Sequence, residues 1–157
     1  MMEDLSIRPA RQDECGLVLE FIEGIANYEK LSKYVTATKE GLYKALFEEK
    51  SCKVVIAFAK DIPVGFALYF YNFSTFKGKK GLYLEDLFVK EEYRHHGYGG
   101  KLFSYLAKEA KDEGCGRMEW VCLDWNESAI EFYRKLGASG LDDWTIFRLD
   151  EEDLKHF

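Results

Sequence analysis

Two adjacent carboxylates, Glu85 and Asp86, interrupt an otherwise apolar run, LYLEDLFV, at residues 82–89. By alternation Leu82, Leu84 and Phe88 share one side and Tyr83, Leu87 and Val89 the other, the pattern of a strand buried on both faces. An unpaired carboxylate withdrawn from water costs several kcal/mol or takes up a proton. Such a group suits a site that accepts a proton or holds a cation; the plainer reading is an ion pair with a nearby Lys or Arg. Immediately beyond stands R-H-H-G-Y-G-G, Arg94–Gly100. A glycine-rich turn between a strand and a helix aims backbone N–H groups and the positive end of the helix dipole at one point, where a phosphate or pyrophosphate fits. A simple tight turn has the same composition. The spacing is not a Walker A loop, because Leu102 follows Gly100-Lys101 and His95 holds the first glycine's place. Nor is it a dinucleotide fingerprint, whose third glycine would stand at Leu102. What it matches is R-x-x-G-x-G. A third constellation is Asn126…Tyr133 in DWNESAIEFYRKLGA. Its apolar spacing puts Ala129, Phe132, Tyr133 and Leu136 on one packed helix face, with Asn126 as an N-cap.

These residues need elements to hold them. Ser6–Pro9 reads as a strand, Asp13–Tyr28 as an amphipathic helix, and Lys39–Glu48 as a shorter one capped by Thr38 or Thr36. Lys53–Ala59, Val64–Phe73 and the LYLEDLFV run form an antiparallel meander across two short turns. A helix follows the glycine turn, with Leu102, Phe103, Leu106, Ala107 and Ala110 inward and Gly114 at its end. Arg117–Leu123 is then a strand parallel to its predecessor, because a whole helix connects them. Asn126–Leu136 is a helix stopped by Gly137, and Trp144–Asp150 a final strand before a polar tail, Glu151–Phe157. The expected order is βααβββαβαβ: an α/β fold, a mixed sheet with helices on both faces.

The chain has 157 residues, 47% apolar and 32% charged. That length suits one domain able to bury roughly 70% of its unfolded surface. A net charge of −6 argues against a nucleic-acid partner and mildly favours a cationic one. Cys15, Cys52, Cys115 and Cys122 lack C-x-x-C spacing, and His95, His96 and His156 add no metal-ligand pattern. Neither a leader-like apolar run at MMEDLSIRPA nor a run long enough to span a membrane is found, so a cytoplasmic protein without metal is expected.

The R-x-x-G-x-G run resembles the acetyl-CoA loop of the GNAT superfamily of N-acetyltransferases, whose signature is Q/R-x-x-G-x-G/A between a strand and a long helix. SIRPA…IANYEKL, LYLEDLFV, EYRHHGYG, DWNESAIEFYRKLGA and DDWTIFRLD occur in the order of one subgroup. Over nearly the whole chain it is similar to diamine (spermidine/spermine) N-acetyltransferases and their thialysine-acetylating relatives. The resemblance implies the acyl-CoA N-acyltransferase fold over residues 1–157 as a single domain, acetyl-CoA as co-substrate, a small cationic amine as acceptor, and a homodimer. It implies Glu85 as base through a water, its pKa raised by apolar neighbours, and Tyr133 at the thioester sulfur as general acid. A β-bulge after the acids would let backbone groups of Leu87, Phe88 and Val89 bind acetyl-pantetheine, with the Leu87 N–H on the carbonyl oxygen. Arg94, His95, His96, Gly97, Tyr98, Gly99 and Gly100 would hold the pyrophosphate, and Asn126, Glu127 and Ser128 the pantetheine arm. Tyr28, Glu29, Glu85, Asp86, Glu119, Trp120 and Val121 would line the amine site. Relatives carry glycine where this chain has His95, a residue that tolerates positive φ better than most. The alternatives are a thialysine, lysine or protein-amine acetyltransferase and a CoA-binding module without turnover.

Overall fold

The computed structural model describes residues 4–157. Met1–Glu3, the start of the N-terminal run read for a leader, lie outside the described residues. The chain divides into two compact units, one ending at Val121 and the other running Cys122–Phe157.

The first unit is a five-stranded sheet in sequence order: β1 (Leu5–Pro9), β2 (Lys53–Ala59), β3 (Ile62–Ser74), β4 (Lys79–Val89) and β5 (Met118–Trp120). The first four strands pair antiparallel, and β5 joins β4 in parallel. Helices cover both faces. On one lie α1 (Cys15–Tyr28) and α2 (Lys39–Tyr43), the latter continuing as a π turn, Lys44–Glu48. Val18 and Phe21 of α1 pack there on Ile56, Phe66 and Leu68. On the other lies α3 (Tyr98–Asp112), whose Leu102, Leu106 and Ala110 meet Val55, Ala67, Leu82 and Leu84. Thr38 caps α2 by accepting from the Gly41 N–H at 3.0 Å. Gly114, at φ 72°, takes the left-handed conformation that ends α3.

The hairpins are tighter than expected. Lys60 takes φ 56°, so Ile62 and Pro63 already belong to β3, and β4 begins at Lys79 instead of Leu82. β5 is shorter than the expected Arg117–Leu123.

The second unit holds α4 (Glu127–Lys135) and a short α5 (Glu151–Leu154). The expected last strand is corrected here: Trp144–Asp150 carries no regular structure. The observed order is therefore βααβββαβαα, while the α/β mixed sheet stands. The strand-forming composition of that segment remains, but among the described residues it joins no strand pair. Trp144, Ile146 and Phe147 are consequently 78%, 68% and 92% exposed.

Candidate active site

β4 carries the site, and its register decides which side chain faces where. Leu84 pairs with Tyr69 of β3 and Asp86 with Leu68, so Glu85 is an extra residue at a bulge. One inserted residue reverses the alternation beyond it. Leu82, Leu84, Leu87 and Val89 therefore all belong to the α3 side, while Phe88 packs on the α1 side. Simple alternation put Phe88 with Leu84 and is corrected by the bulge. The kink sits at Glu85 itself, not after the acids. Pairing of β4 with β5 covers only Leu82–Leu84 against Met118–Trp120. Among the described residues, Glu85–Val89 thus have no strand partner on the β5 side.

The two acids are not equivalent. Glu85 is exposed, so the desolvation expected there falls on its neighbour. Asp86 is half-buried, and burial, then the charges of Glu85 and Glu29, push its carboxyl up to about 6. Burial also raises Glu29, at the C-terminal end of α1. Three of the expected amine-site acids are thus electrostatically coupled. α1 reaches β4 because Gly24 has no side chain: a Cβ there would stand 2.9 Å from the Phe88 ring. Gly65 similarly admits the end of β4, since its Cβ would meet the Phe88 carbonyl oxygen at 2.5 Å. Sequence reasoning passed over both glycines. Their signal was an isolated glycine inside a helix pattern and inside a strand pattern.

Arg94 folds back over the end of β4. Its Nε donates to the Val89 carbonyl at 2.9 Å. Its guanidinium carbon lies 4.8 Å from the Tyr28 ring centre and 5.5 Å from that of Phe88. Tyr28 thereby joins the loop arginine to the acid cluster. His95 adopts φ 66° and Gly97, the N-cap of α3, φ 79°. Histidine thus occupies the left-handed position in this chain. α3 opens with no side-chain cap, leaving the N–H groups of its first turn for a ligand. A Cβ on Gly100 would meet nothing within 4 Å, so space for a bulky anion exists beside that turn. His96 and Gly99 lie in the same turn, and the Tyr98 ring is buried. These residues fit the pyrophosphate of a nucleotide-type co-substrate.

Of the strand expected to line the amine site, Glu119 pairs with Arg117 at 3.0 Å. Trp120 packs edge-on against Phe103 of α3, and Val121 is exposed. In the second unit Asn126 is buried, and its Oδ1 accepts from the Ala129 N–H and the Ser128 hydroxyl, both at 3.3 Å. It is the N-cap of α4, with Glu127 and Ser128 exposed in the first turn. Tyr133 is half-buried, and its ring meets that of Phe132 edge to face. Among the described residues no three His, Cys, Asp or Glu side chains are grouped to hold a metal ion, and no helix is long and apolar enough to cross a membrane.

Comparison with known proteins agrees with this architecture. Residues 21–138 match the model of the acetyltransferase (GNAT) family. The chain is 38% identical over 166 residues to the thialysine N-epsilon-acetyltransferase of Bos taurus, covering 98% of this chain and 97% of that one. It is 29% identical to the spermidine/spermine N(1)-acetyltransferase-like protein 1 of Homo sapiens, covering 98% of this chain and 24% of that protein. An integron cassette protein from the mobile metagenome of V. cholerae superposes with a TM-score of 0.79 at 29% identity, over 99% of this chain and 97% of that one.

Proposed function

The chain belongs to the acetyltransferase (GNAT) family and is an N-acetyltransferase, and we propose that it carries acetyl from acetyl-CoA to the terminal primary amine of a small cation by direct attack in a ternary complex. The acceptor class comprises diamines and polyamines, such as spermidine or spermine, and amino acids of the lysine or thialysine type. The observation that carries this reading is the coupling of Glu29, Glu85 and Asp86, with Asp86 raised to about 6. Three carboxylates suit a cation, and one that titrates near neutrality suits proton transfer.

An ammonium has no lone pair, and an alkyl amine with a pKa near 10.4 is neutral in only about one molecule in 2500 at pH 7. In our reading Glu85, through a water, or Asp86 takes the amine proton. The nitrogen then bonds to the thioester carbonyl carbon, and the carbonyl electron pair moves to oxygen, where the Leu87 N–H donates. Collapse of that oxyanion breaks the carbon–sulfur bond. Tyr133 donates to the departing thiolate, stabilising it at least as much as protonating it, since a phenol is a weaker acid than a thiol. The backbone of Phe88 and Val89, the turn His95–Gly100 and the α4 opening Asn126–Ser128 hold the co-substrate. No metal is required by this chemistry.

The chain acts as one N-acetyltransferase domain over 1–157 in this reading, in the cytoplasm, where its thiols remain reduced. It acts as a homodimer, which the exposed apolar residues of the second unit support. Thiol release from acetyl-CoA, followed with spermidine, spermine, putrescine, thialysine and lysine in turn, tests the activity. Turnover with one or more is expected. Acetyl-CoA binding without turnover on any amine would leave a CoA-binding module instead.

A further inference from the structure

We infer that a cleft beneath α3 is a second binding site, separate from the acetyl-transfer site, for a small organic ammonium ion with a single charge and an apolar body. The cleft encloses about 250 Å³. An apolar cavity of about 150 Å³ holds benzene, so a molecule of one ring or a short alkyl chain fits. Leu46, Phe47 and Val55 give it apolar walls, Tyr69 and Tyr105 give aromatic rings, and Glu109 gives a carboxylate. Val55 and Tyr69 belong to the α3 side of the sheet, and Tyr105 and Glu109 to α3 itself. The acids of the amine site lie elsewhere. Asp86 pairs with Leu68, which packs on the α1 side, and couples to Glu29 at the end of α1.

Glu109 decides the ligand's charge. Its carboxylate is half-buried and accepts from the Tyr71 hydroxyl at 3.4 Å. Burial, then the Glu109 charge, push the Tyr69 and Tyr71 hydroxyls above the ordinary phenol range, so both remain neutral donors beside the acid. Among the described residues no cation pairs with Glu109: Lys80 pairs instead with Glu113 at 3.5 Å, and Lys108 with Asp112 at 2.6 Å. The surroundings nonetheless gather positive charge. The ammonium groups of Lys80 and Lys53 lie 4.5 and 5.5 Å from the Tyr71 ring centre. A half-buried carboxylate among aromatic rings holds an alkyl ammonium by a charge-assisted hydrogen bond and by cation–π attraction. Lys53 also borders the cleft, but it is exposed, so water and salt screen its charge more than that of Glu109. One acid with apolar walls suits one ammonium, because a second charge on the ligand would be buried without a partner.

Phenethylammonium, a single-ring cation, tests the site against 2-phenylethanol, its neutral counterpart, and 3-phenylpropionate, an anion of similar size. Titrations of the full chain saturated with CoA, which holds no acetyl group and so permits no turnover, follow the ring signals of labelled tyrosines by NMR. The signals of Tyr69 and Tyr105 should move with phenethylammonium, which should bind at least ~10-fold tighter than the alcohol, the scale of one charge-assisted bond. Glu109→Gln should abolish that preference and leave the alcohol unchanged. Lys53→Met, at an exposed position, should not weaken the cation, since it removes a like charge. Asp86→Asn should leave the preference in place. Equal binding of cation and alcohol, or a preference that persists in Glu109→Gln, overturns the inference. So does tighter binding of 3-phenylpropionate, or weaker binding of the cation in Lys53→Met. A preference lost in Asp86→Asn but kept in Glu109→Gln overturns it too and assigns the ammonium to the amine site.

Discussion

At Asp86 burial and two neighbouring acids act in the same direction, and the consequences have opposite signs for stability and activity. Its folded pKa, about 6, lies above the ordinary 3.8. A carboxylate raised on folding destabilises the protein wherever both states are ionised, above about pH 6, and the penalty fades as pH falls toward 4. The size is on the order of 2–3 kcal/mol. Asp86→Asn should therefore raise Tm by several degrees at pH 7.5 and by almost nothing at pH 4. An unchanged melt at pH 7.5 would mean that Asp86 is better solvated than its burial implies. Activity should move the other way. If Asp86 is the base, the wild-type rate falls below about pH 6, Asp86→Asn loses that limb, and its deficit shrinks at alkaline pH as the amine deprotonates unaided. Glu29→Gln should shift the limb to lower pH by removing one of the charges that raise Asp86. If Glu85→Gln, not Asp86→Asn, shows the alkaline recovery, proton removal belongs to Glu85. Tyr133→Phe should behave differently: kcat down ~100-fold, acetyl-CoA affinity unchanged, no repair at high pH, and a smaller deficit with a better leaving group than CoA.

The turn before α3 and the bulged end of β4 are the elements that convert these side chains into a site. Gly97 sits at φ 79°, a conformation that Asp tolerates better than most residues. Gly97→Asp should accordingly fold, with Tm lowered by only a few degrees, while its carboxylate opposes the pyrophosphate. Calorimetry should show acetyl-CoA affinity reduced at least ~10-fold, comparable to other single like-charge contacts. Wild-type affinity in the folded variant would remove the phosphate-cradle role of the turn. Much at this scale was legible in sequence, because it is local chemistry. β2 has its expected limits, α3 and α4 end at Gly114 and Gly137 with positive φ, and His95 takes the left-handed position. What was illegible is set by non-local pairing. The bulge at Glu85 depends on which β3 residue each β4 residue meets, and alternation within β4 holds no record of it. Hence Phe88 was put on the wrong face, and the desolvation expected at Glu85 acts at Asp86. The side-chain course of Arg94 was hidden for the same reason: its ring partners Tyr28 and Phe88 are distant or register-dependent.

On the scale of the whole molecule, Trp144–Asp150 was legible as strand-forming but could not show whether a neighbour would pair it. Both of its sides are apolar: Trp144 and Ile146 share one parity, Phe147 and Leu149 the other. All four are exposed, as are Leu136, Leu141, Leu154 and Phe157 in the same unit. Soluble chains tolerate single exposed apolar side chains, but a run of this kind marks a contact surface. Covering each such side chain is worth ~1.5–3 kcal/mol, so a few of them suffice for a stable pair even after the cost of association. The proposed homodimer would supply the cover, because each copy would bring the same segment and the same need. Sedimentation of the wild type at micromolar concentration should give a dimer. Phe147→Asp, whose side chain is 92% exposed and so contributes almost no packing within the chain, should give a folded monomer with Tm little changed when extrapolated to low protein concentration. Ile146→Asp, on the opposite parity, should weaken association as well if both sides of the segment are covered. A wild-type protein that sediments as a monomer at all accessible concentrations would leave the segment to some other partner, and a dimer indifferent to both substitutions would place the interface elsewhere on the molecule.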